Sequence, residues 1–228
     1  VGTPAGDYTS TSTNVQSTIA GQPAIGNSAS AVLTVLQAPE LSMDFAQDTV
    51  SPGDLVSLSF TISVGSEATE VANNIAFNAD LNAALAGLAG VGLPMNDVCG
   101  PGSQIGGTTN LSFTGGTLNP GESCSFMLDV QVPAAATTGA ISVLTSSVTA
   151  TVNGTMVTGT AAQDGFTVSN LQFTKQYIDG PYVAGQTGTL RFTIDNTANV
   201  DDVTGLFFID TIAAAISGHV AIGLPVND

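Results

Sequence analysis

The sequence predicts an all-β chain of tandem antiparallel β-sandwiches, with one complete repeat flanked by two partial ones. Three observations predict it. Apolar residues recur with a period of two, Gly- and Pro-rich turns separate the alternating runs, and distant segments recur at one nearly constant offset. A period of two is the mark of a half-buried strand, because successive side chains point to opposite faces.

The alternation is clearest in the middle of the chain. Leu41, Met43 and Phe45 alternate with polar residues, and Ser51-Pro52-Gly53-Asp54 then reads as a turn. Val56, Leu58, Phe60, Ile62 and Val64 interleave with Ser57, Ser59, Thr61 and Ser63. Residues 71–81 read as a less regular strand, and Leu111 and Phe113 as a short one before Gly115-Gly116. Asn119-Pro120-Gly121-Glu122 is a second turn, after which Cys124, Phe126, Leu128, Val130 and Val132 alternate again. Residues 141–152 read as one long Ser/Thr-rich strand, Asn153-Gly154 as a tight hairpin turn, and Phe166 and Val168 as the closing strand. Leu81, Leu85 and Leu88 have helical spacing, so residues 83–89 read as a helical turn or as a loop. Seven or more short strands in such a span fit an antiparallel sandwich.

The repeat sets the domain boundaries. Val15, Gly21, Gly26, Ala29, Thr34 and Val35 recur, all at the same offset, as Val148, Gly154, Gly159, Ala162, Thr167 and Val168. Phe60-Thr61-Ile62 recurs as Phe192-Thr193-Ile194, and Gly92-Leu93-Pro94-Met95-Asn96-Asp97 as Gly223-Leu224-Pro225-Val226-Asn227-Asp228. Residues 1–37 then read as the end of a preceding repeat, 38–169 as a complete repeat, and 170–228 as the opening of a following one. On this reading the sequence is expected to be a window on a longer polypeptide. The linkers around Pro39 and Asn170 are short and strand-like, which favours stiff coupling.

Composition narrows the function. Lys175 and Arg191 are the only basic residues against 18 acidic ones, for a net charge of -16. Binding to nucleic acid or to an anionic membrane surface needs the opposite sign, so neither is expected as a partner. Charged residues make up 9% of the chain and hydrophobic ones 43%, which favours a folded core over charge-driven disorder. No apolar run reaches the length of a membrane span, so no membrane insertion is expected in this segment.

Cys99 and Cys124 are the only cysteines. Their even count and spacing favour a disulfide, the state expected of such a pair if the chain is secreted. Zinc would need four ligands, and the single histidine, His219, lies in a different repeat. A reactive thiol would need a basic neighbour.

Catalytic chemistry finds little support, and no enzyme activity is expected. His219 stands alone, with Leu88 at its equivalent position. No phosphate-binding glycine motif precedes a helix. Calcium is the one candidate cofactor, because it takes several oxygen ligands. Asp195, Asp201, Asp202 and Asp210 cluster in the last segment, while Asp44, Asp48, Asp54, Asp164 and Asp179 lie near the junctions. The alternative is a solvated acidic surface. Met43 stands where the last segment has Lys175, which argues against a general Lys–Asn crosslink on that strand. Asn110-Leu111-Ser112 and Asn153-Gly154-Thr155 fit the glycosylation pattern, although the turn explains the second.

Pro52-Gly53, Leu93-Pro94, Asn96-Asp97, Cys99-Gly100, Gly116, Leu118, Pro120-Gly121, Cys124 and Pro133 together span most of residues 39–169. In this combination the chain resembles the bacterial immunoglobulin-like repeat domains of unknown function that recur in large secreted or cell-surface proteins. The resemblance implies an extracellular, cell-surface stalk, fibre or filament whose partners are neighbouring repeats or copies of itself. It carries over no catalytic residue. Adhesion to a glycan, protein or surface is the alternative, with Thr9–Thr13 and residues 145–151 as candidate hydroxyl arrays. Polymerisation by β-strand complementation is the third reading, because an incomplete sandwich has open edges.

Overall fold

Strands form wherever the apolar and polar residues alternate. The computed structural model describes residues 4–178, 180–200, 202–214, 217–218 and 220–224. The chain divides into two compact units, residues 1–170 and residues 171–228.

The first unit begins with β1 (Gly6–Thr11), β2 (Gln16–Ile19), β3 (Gln22–Ile25) and β4 (Ser30–Val35). β1 pairs antiparallel with β4, and β2 with β3. The central sandwich then runs through β5 (Glu40–Phe45), β6 (Thr49–Val50), β7 (Leu55–Ser63), β8 (Ala72–Asp80), the one-turn helix α1 (Leu81–Ala84) and β9 (Ala89–Val91). It continues with β10 (Met95–Asn96), β11 (Gln104–Gly106), β12 (Asn110–Leu118) and β13 (Ser123–Gln131). β14 (Gly139–Leu144), β15 (Thr149–Val152), β16 (Thr155–Thr158) and β17 (Gln163–Val168) close it. The second unit holds β18 (Gln172–Ile178), β19 (Thr189–Asp195) and a single 3-10 turn, Ile212–Ala214.

One face of the central sandwich is the six-stranded sheet β10-β11-β12-β8-β15-β16. The four-stranded sheet β5-β7-β13-β9 packs against it, and the three-stranded sheet β14-β17-β6 lines the same core. The core is aromatic at its centre. Phe60 on β7 lies 5.0 Å from Phe77 on β8 and 5.6 Å from Phe126 on β13, between ring centroids. Phe113 on β12 completes the quartet, 5.2 Å from Phe77 and 5.4 Å from Phe126. Two rings from each sheet thus interlock across the sandwich. The alternate residues of β7 point outward, and their hydroxyls bond along the sheet surface: Ser57 Oγ donates to Asp129 Oδ1 at 2.8 Å, and Thr61 Oγ1 lies 2.8 Å from Ser125 Oγ.

Three local expectations need correction. The strand around Leu111 and Phe113 does not stop at Gly115-Gly116 but runs on to Leu118, with register shifts against β8. A side chain at Gly116 would sit 2.8 Å from the Phe113 ring, so glycine keeps that irregular stretch open. Residues 141–152 are two strands in different sheets. β14 pairs with β17 and β15 with β8, and the chain crosses between them at Thr145–Ser146. Thr145 is buried there, and its Oγ1 accepts from Ala162 N at 2.9 Å and donates to Ser146 O at 2.8 Å. Those local bonds compete with a continuous ladder. The helical turn comes earlier than residues 83–89. Asp80 caps it, its Oδ1 accepting from Ala83 N at 3.0 Å, and Leu81, Leu85 and Leu88 all bury beneath it.

Strand pairings recur along the chain. The bounds of β1 to β4 recur, at one constant offset, as those of β14 to β17, and Gly6 faces Val35 as Gly139 faces Val168. The irregular contacts recur as well. Ala29 N donates to Ser12 Oγ at 2.9 Å, as Ala162 N donates to Thr145 Oγ1 at 2.9 Å. Gly26 N donates to Val15 O at 2.7 Å, as Gly159 N does to Val148 O at 2.8 Å. The β15–β16 turn has positive φ at Asn153 and Gly154 (48° and 74°), and the β2–β3 turn has it at Ala20 and Gly21 (52° and 78°).

The second unit repeats the opening strands. Gln172 faces Asp195 as Glu40 faces Ser63, the two positions shifted equally along the chain. Phe192 and Phe208 have centroids 5.0 Å apart at 43°, against 5.0 Å and 46° for Phe60 and Phe77. Gln186 N donates to Val183 O at 3.1 Å, matching Asp54 N to Ser51 O at 3.1 Å.

Candidate functional site

The loop between β9 and β12 carries the most specific local chemistry. Cys99 and Cys124 are joined as a disulfide, with Cα atoms 5.6 Å apart, so the loop is tied to β13. Ser103 is buried behind the bond; its Oγ accepts from Cys99 N at 2.7 Å and donates to Gly100 O at 2.7 Å. The Asn96-Asp97 pair serves the same loop. Asp97 has φ 57°, and its Oδ1 accepts from Gly102 N at 2.7 Å while its own N–H donates to Ser103 O at 2.6 Å. Asn96 Oδ1 accepts from Gln104 Nε2 at 2.6 Å. The polar side chains of this motif therefore satisfy backbone groups and one another. The recurrence of the motif at Pro225–Asp228 lies outside the described residues, as does His219.

The carboxylates proposed for calcium engage separate partners. Asp195 Oδ1 accepts from Thr197 Oγ1 at 2.6 Å and from Thr197 N at 2.8 Å. Those two bonds, the hydroxyl first, hold its carboxyl below the usual range. Asp210 pairs with Lys175 at 2.7 Å, and the ammonium also lies 5.9 Å from the centre of the Phe192 ring. Asp202 is exposed, and Asp179 and Asp201 lie outside the described residues. Asp164 bridges strands, its Oδ2 accepting from Phe45 N at 2.6 Å, and Asp54 Oδ2 accepts from Ser51 N at 2.8 Å within its turn. Among the described residues no three His, Cys, Asp or Glu side chains gather in a metal-holding group.

The hydroxyl arrays fare differently from each other. Thr9, Ser10 and Thr11 are exposed on β1, whereas residues 145–151 contain the buried crossover at Thr145 and the buried Val148. A shallow open depression of about 380 Å³ lies on the β2–β3 hairpin between Gln16 and Ile25. No titratable side chain lines it. Among the described residues, no helix is long and apolar enough to cross a membrane.

The turn before β13 is held by a carboxylate that spacing alone did not single out. Glu122 Oε2 accepts from Asn119 N and from Asn119 Nδ2, each at 2.9 Å. The backbone bond, then the side-chain bond, hold its pKa below the usual value near 4.5. A lowered carboxylate pKa stabilises the fold above the unfolded value, and that contribution is lost as pH falls through the folded value. Glu122→Gln should therefore melt lower than the parent chain at about pH 7, with the gap closing towards about pH 3. Thermal melts across that range check it, and a gap independent of pH would assign the effect to shape rather than charge.

The fold and its stapled loop define an all-β antiparallel sandwich domain with one disulfide. Residues 39–168 match the family of a domain of unknown function, DUF7933, and the chain belongs to that family. No curated protein matches the chain. Among solved structures it is similar to the crystal structure of BcpA, the major pilin subunit of Bacillus cereus, at 10% identity and a TM-score of 0.44, over 81% of this chain and 61% of that one. It is also similar to Spo0M, the sporulation control protein from Bacillus subtilis, at 14% identity and a TM-score of 0.30, over 58% of this chain and 49% of that one. The chain thus spans less than two thirds of the length of either structure.

Proposed function

We propose that the chain is a non-catalytic structural segment of an extracellular, cell-surface protein, in which immunoglobulin-like sandwiches of one repeat type follow one another to build a stalk or fibre. The observation that carries this reading is the duplication of strand register. The β1–β4 pairing recurs between β14 and β17, and the β5–β7 pairing recurs between β18 and β19. A catalytic or adhesive domain needs one well-formed site, whereas a length-building protein needs the same unit again and again. The acidic, lysine-poor surface and the disulfide suit an oxidising exterior.

In-phase deletion tests it. Removing residues 38–169 from the protein on its native cells joins Gln37 to Asn170, a junction of the same kind as the natural ones. The expected result is retained surface display with a shorter projection by electron microscopy, and unchanged adhesion of the cells to glycans and host proteins. Full-length projections with lost adhesion would overturn the structural reading in favour of an adhesin.

A further inference from the structure

The six-stranded sheet of the central sandwich ends in β16, which pairs with β15 on one side and with no described strand on the other. The tight turn at Asn153-Gly154 joins the two strands, so Val152 and Thr155 form a hydrogen-bonded pair. Direction alternates from there. Val157 turns its backbone N–H and C=O towards β15, and Gly159 N keeps that phase by donating to Val148 O at 2.8 Å. Met156 and Thr158 therefore turn theirs away from the sheet. Both residues are exposed, Met156 by 76%. An edge of this kind is a template for another strand.

Other edges of the sandwich are blunted. β5 carries Glu40 and Asp44. β10, at the far end of the same sheet as β16, has 2 residues and follows directly on Pro94. α1 lies against β14. The sister hairpin β2–β3 gives the closest comparison. Thr18 faces Pro23 there, as Thr151 faces Met156. Proline has no N–H to offer and its ring fills the edge, so β3 is closed at the position where β16 is open. The hairpin itself is kept, because the missing N–H would point outwards.

Charge and register say what fits the open edge. Residues 130–163 contain no charged side chain, although the chain as a whole carries -16. A basic partner strand would gain nothing from this hairpin. Two acidic copies, in contrast, can approach along it without setting like charges opposite each other. The edge is also complementary to itself. Turned antiparallel about a two-fold axis at Val157, Met156 of each copy stands opposite Thr158 of the other. Those are the residues whose N–H and C=O face outwards, so each such pair exchanges both of its hydrogen bonds. Val157, which packs partly buried against the core, then meets its own copy.

We infer that β16 is a homotypic docking edge, through which a second copy of this chain adds its own β16 to the six-stranded sheet. The inference rests on the stalk reading above and deepens it by naming a lateral partner: the contact bundles stalks side by side rather than lengthening them. A contact of 4 residues is small, so a single pair is weak and gains strength where several engage along two stalks at once.

Thiol trapping in the 228-residue chain tests it, because trapping captures weak pairs. At the two-fold axis the two Val157 Cα atoms stand about 4.5 Å apart, the spacing of a non-hydrogen-bonded pair and within disulfide reach. Under mild oxidation Val157→Cys should pass into a covalent dimer of twice 22.7 kDa, with peptide mapping placing the bond between the two introduced thiols. Thr155→Cys is the register control. Its copies lie roughly 13 Å apart along the strands, so no bond can form between them. That variant should remain at 22.7 kDa. Met156→Pro on the Val157→Cys background should abolish the dimer and leave the melting transition in place, since the sister hairpin holds with Pro23 at that position. No dimer from Val157→Cys, equal yields at the two thiol positions, or a dimer that survives Met156→Pro would each overturn the inference. The surface-deletion result stands apart from these outcomes, since repeats can build a stalk whether or not it bundles with others.

Discussion

Phe60→Ala should destabilise the central sandwich by about 3–5 kcal/mol, the range for removing a buried aromatic ring. Phe60 is fully buried and touches rings from both sheets, Phe77 at 5.0 Å and Phe126 at 5.6 Å. Its neighbours are held by β8 and β13, which pair along much of their length with β12 and β7, so they have little freedom to collapse into the void. The lost contacts and the residual cavity therefore add. Urea unfolding followed by far-ultraviolet circular dichroism measures the loss. A change below about 1.5 kcal/mol would show that the core relaxes around the gap and that the quartet is not its rigid centre. The equivalent ring supplies an internal comparison. Phe192 is only half-buried in the second unit, so Phe192→Ala in the dilute chain should cost markedly less than Phe60→Ala.

That contrast also explains what could be read from the sequence. β5, β7 and β13 were legible because one face of each is buried and the other wet, and burial then alternates residue by residue. The Asn153-Gly154 hairpin was legible because its turn demands positive φ at two successive residues. The break inside residues 141–152 was not. Ser and Thr satisfy a strand pattern, and only the three-dimensional proximity of Ala162 reveals that the Thr145 hydroxyl is occupied there. Gly115-Gly116 misled for a related reason, since glycine marks both strand ends and strand irregularities.

The candidate site divides along the same line. Pairing of Cys99 with Cys124 could be argued from count and setting, because a disulfide joins only two residues. A calcium site needs several oxygens converging on one point, and sequence spacing supplies the oxygens without their directions. Asp195 turns to Thr197 and Asp210 to Lys175, partners that no list of acidic positions foretells. The work of Asp97 and Glu122 was equally hidden. Asp97 stood out only as part of a recurring motif and Glu122 only as the end of a turn, and both accept from backbone N–H groups a few residues away in chain order.

Replacing both cysteines by alanine should lower the stability of the central sandwich by about 3 kcal/mol, the chain-entropy value for a loop of roughly this length. The bond is 25 residues in span and encloses β11 and β12, and Cys99 follows closely on β10, the short strand at the end of the six-stranded sheet. Without it, β10 depends on two paired residues, Met95 and Asn96, and on the turn bonds of Asp97. β11 still adds to β12 over three residues, so loss should begin at the sheet edge rather than in the aromatic core. Hydrogen exchange checks this directly. Amides of residues 95–106 should lose protection in the double variant and in the reduced parent chain alike, while those of β7 and β13 keep most of theirs. Equal loss throughout the sandwich would mean that the bond secures the whole core. Unchanged exchange at residues 95–106 would mean that Asp97 and Ser103 hold the loop on their own, leaving the disulfide to act on the unfolded chain alone.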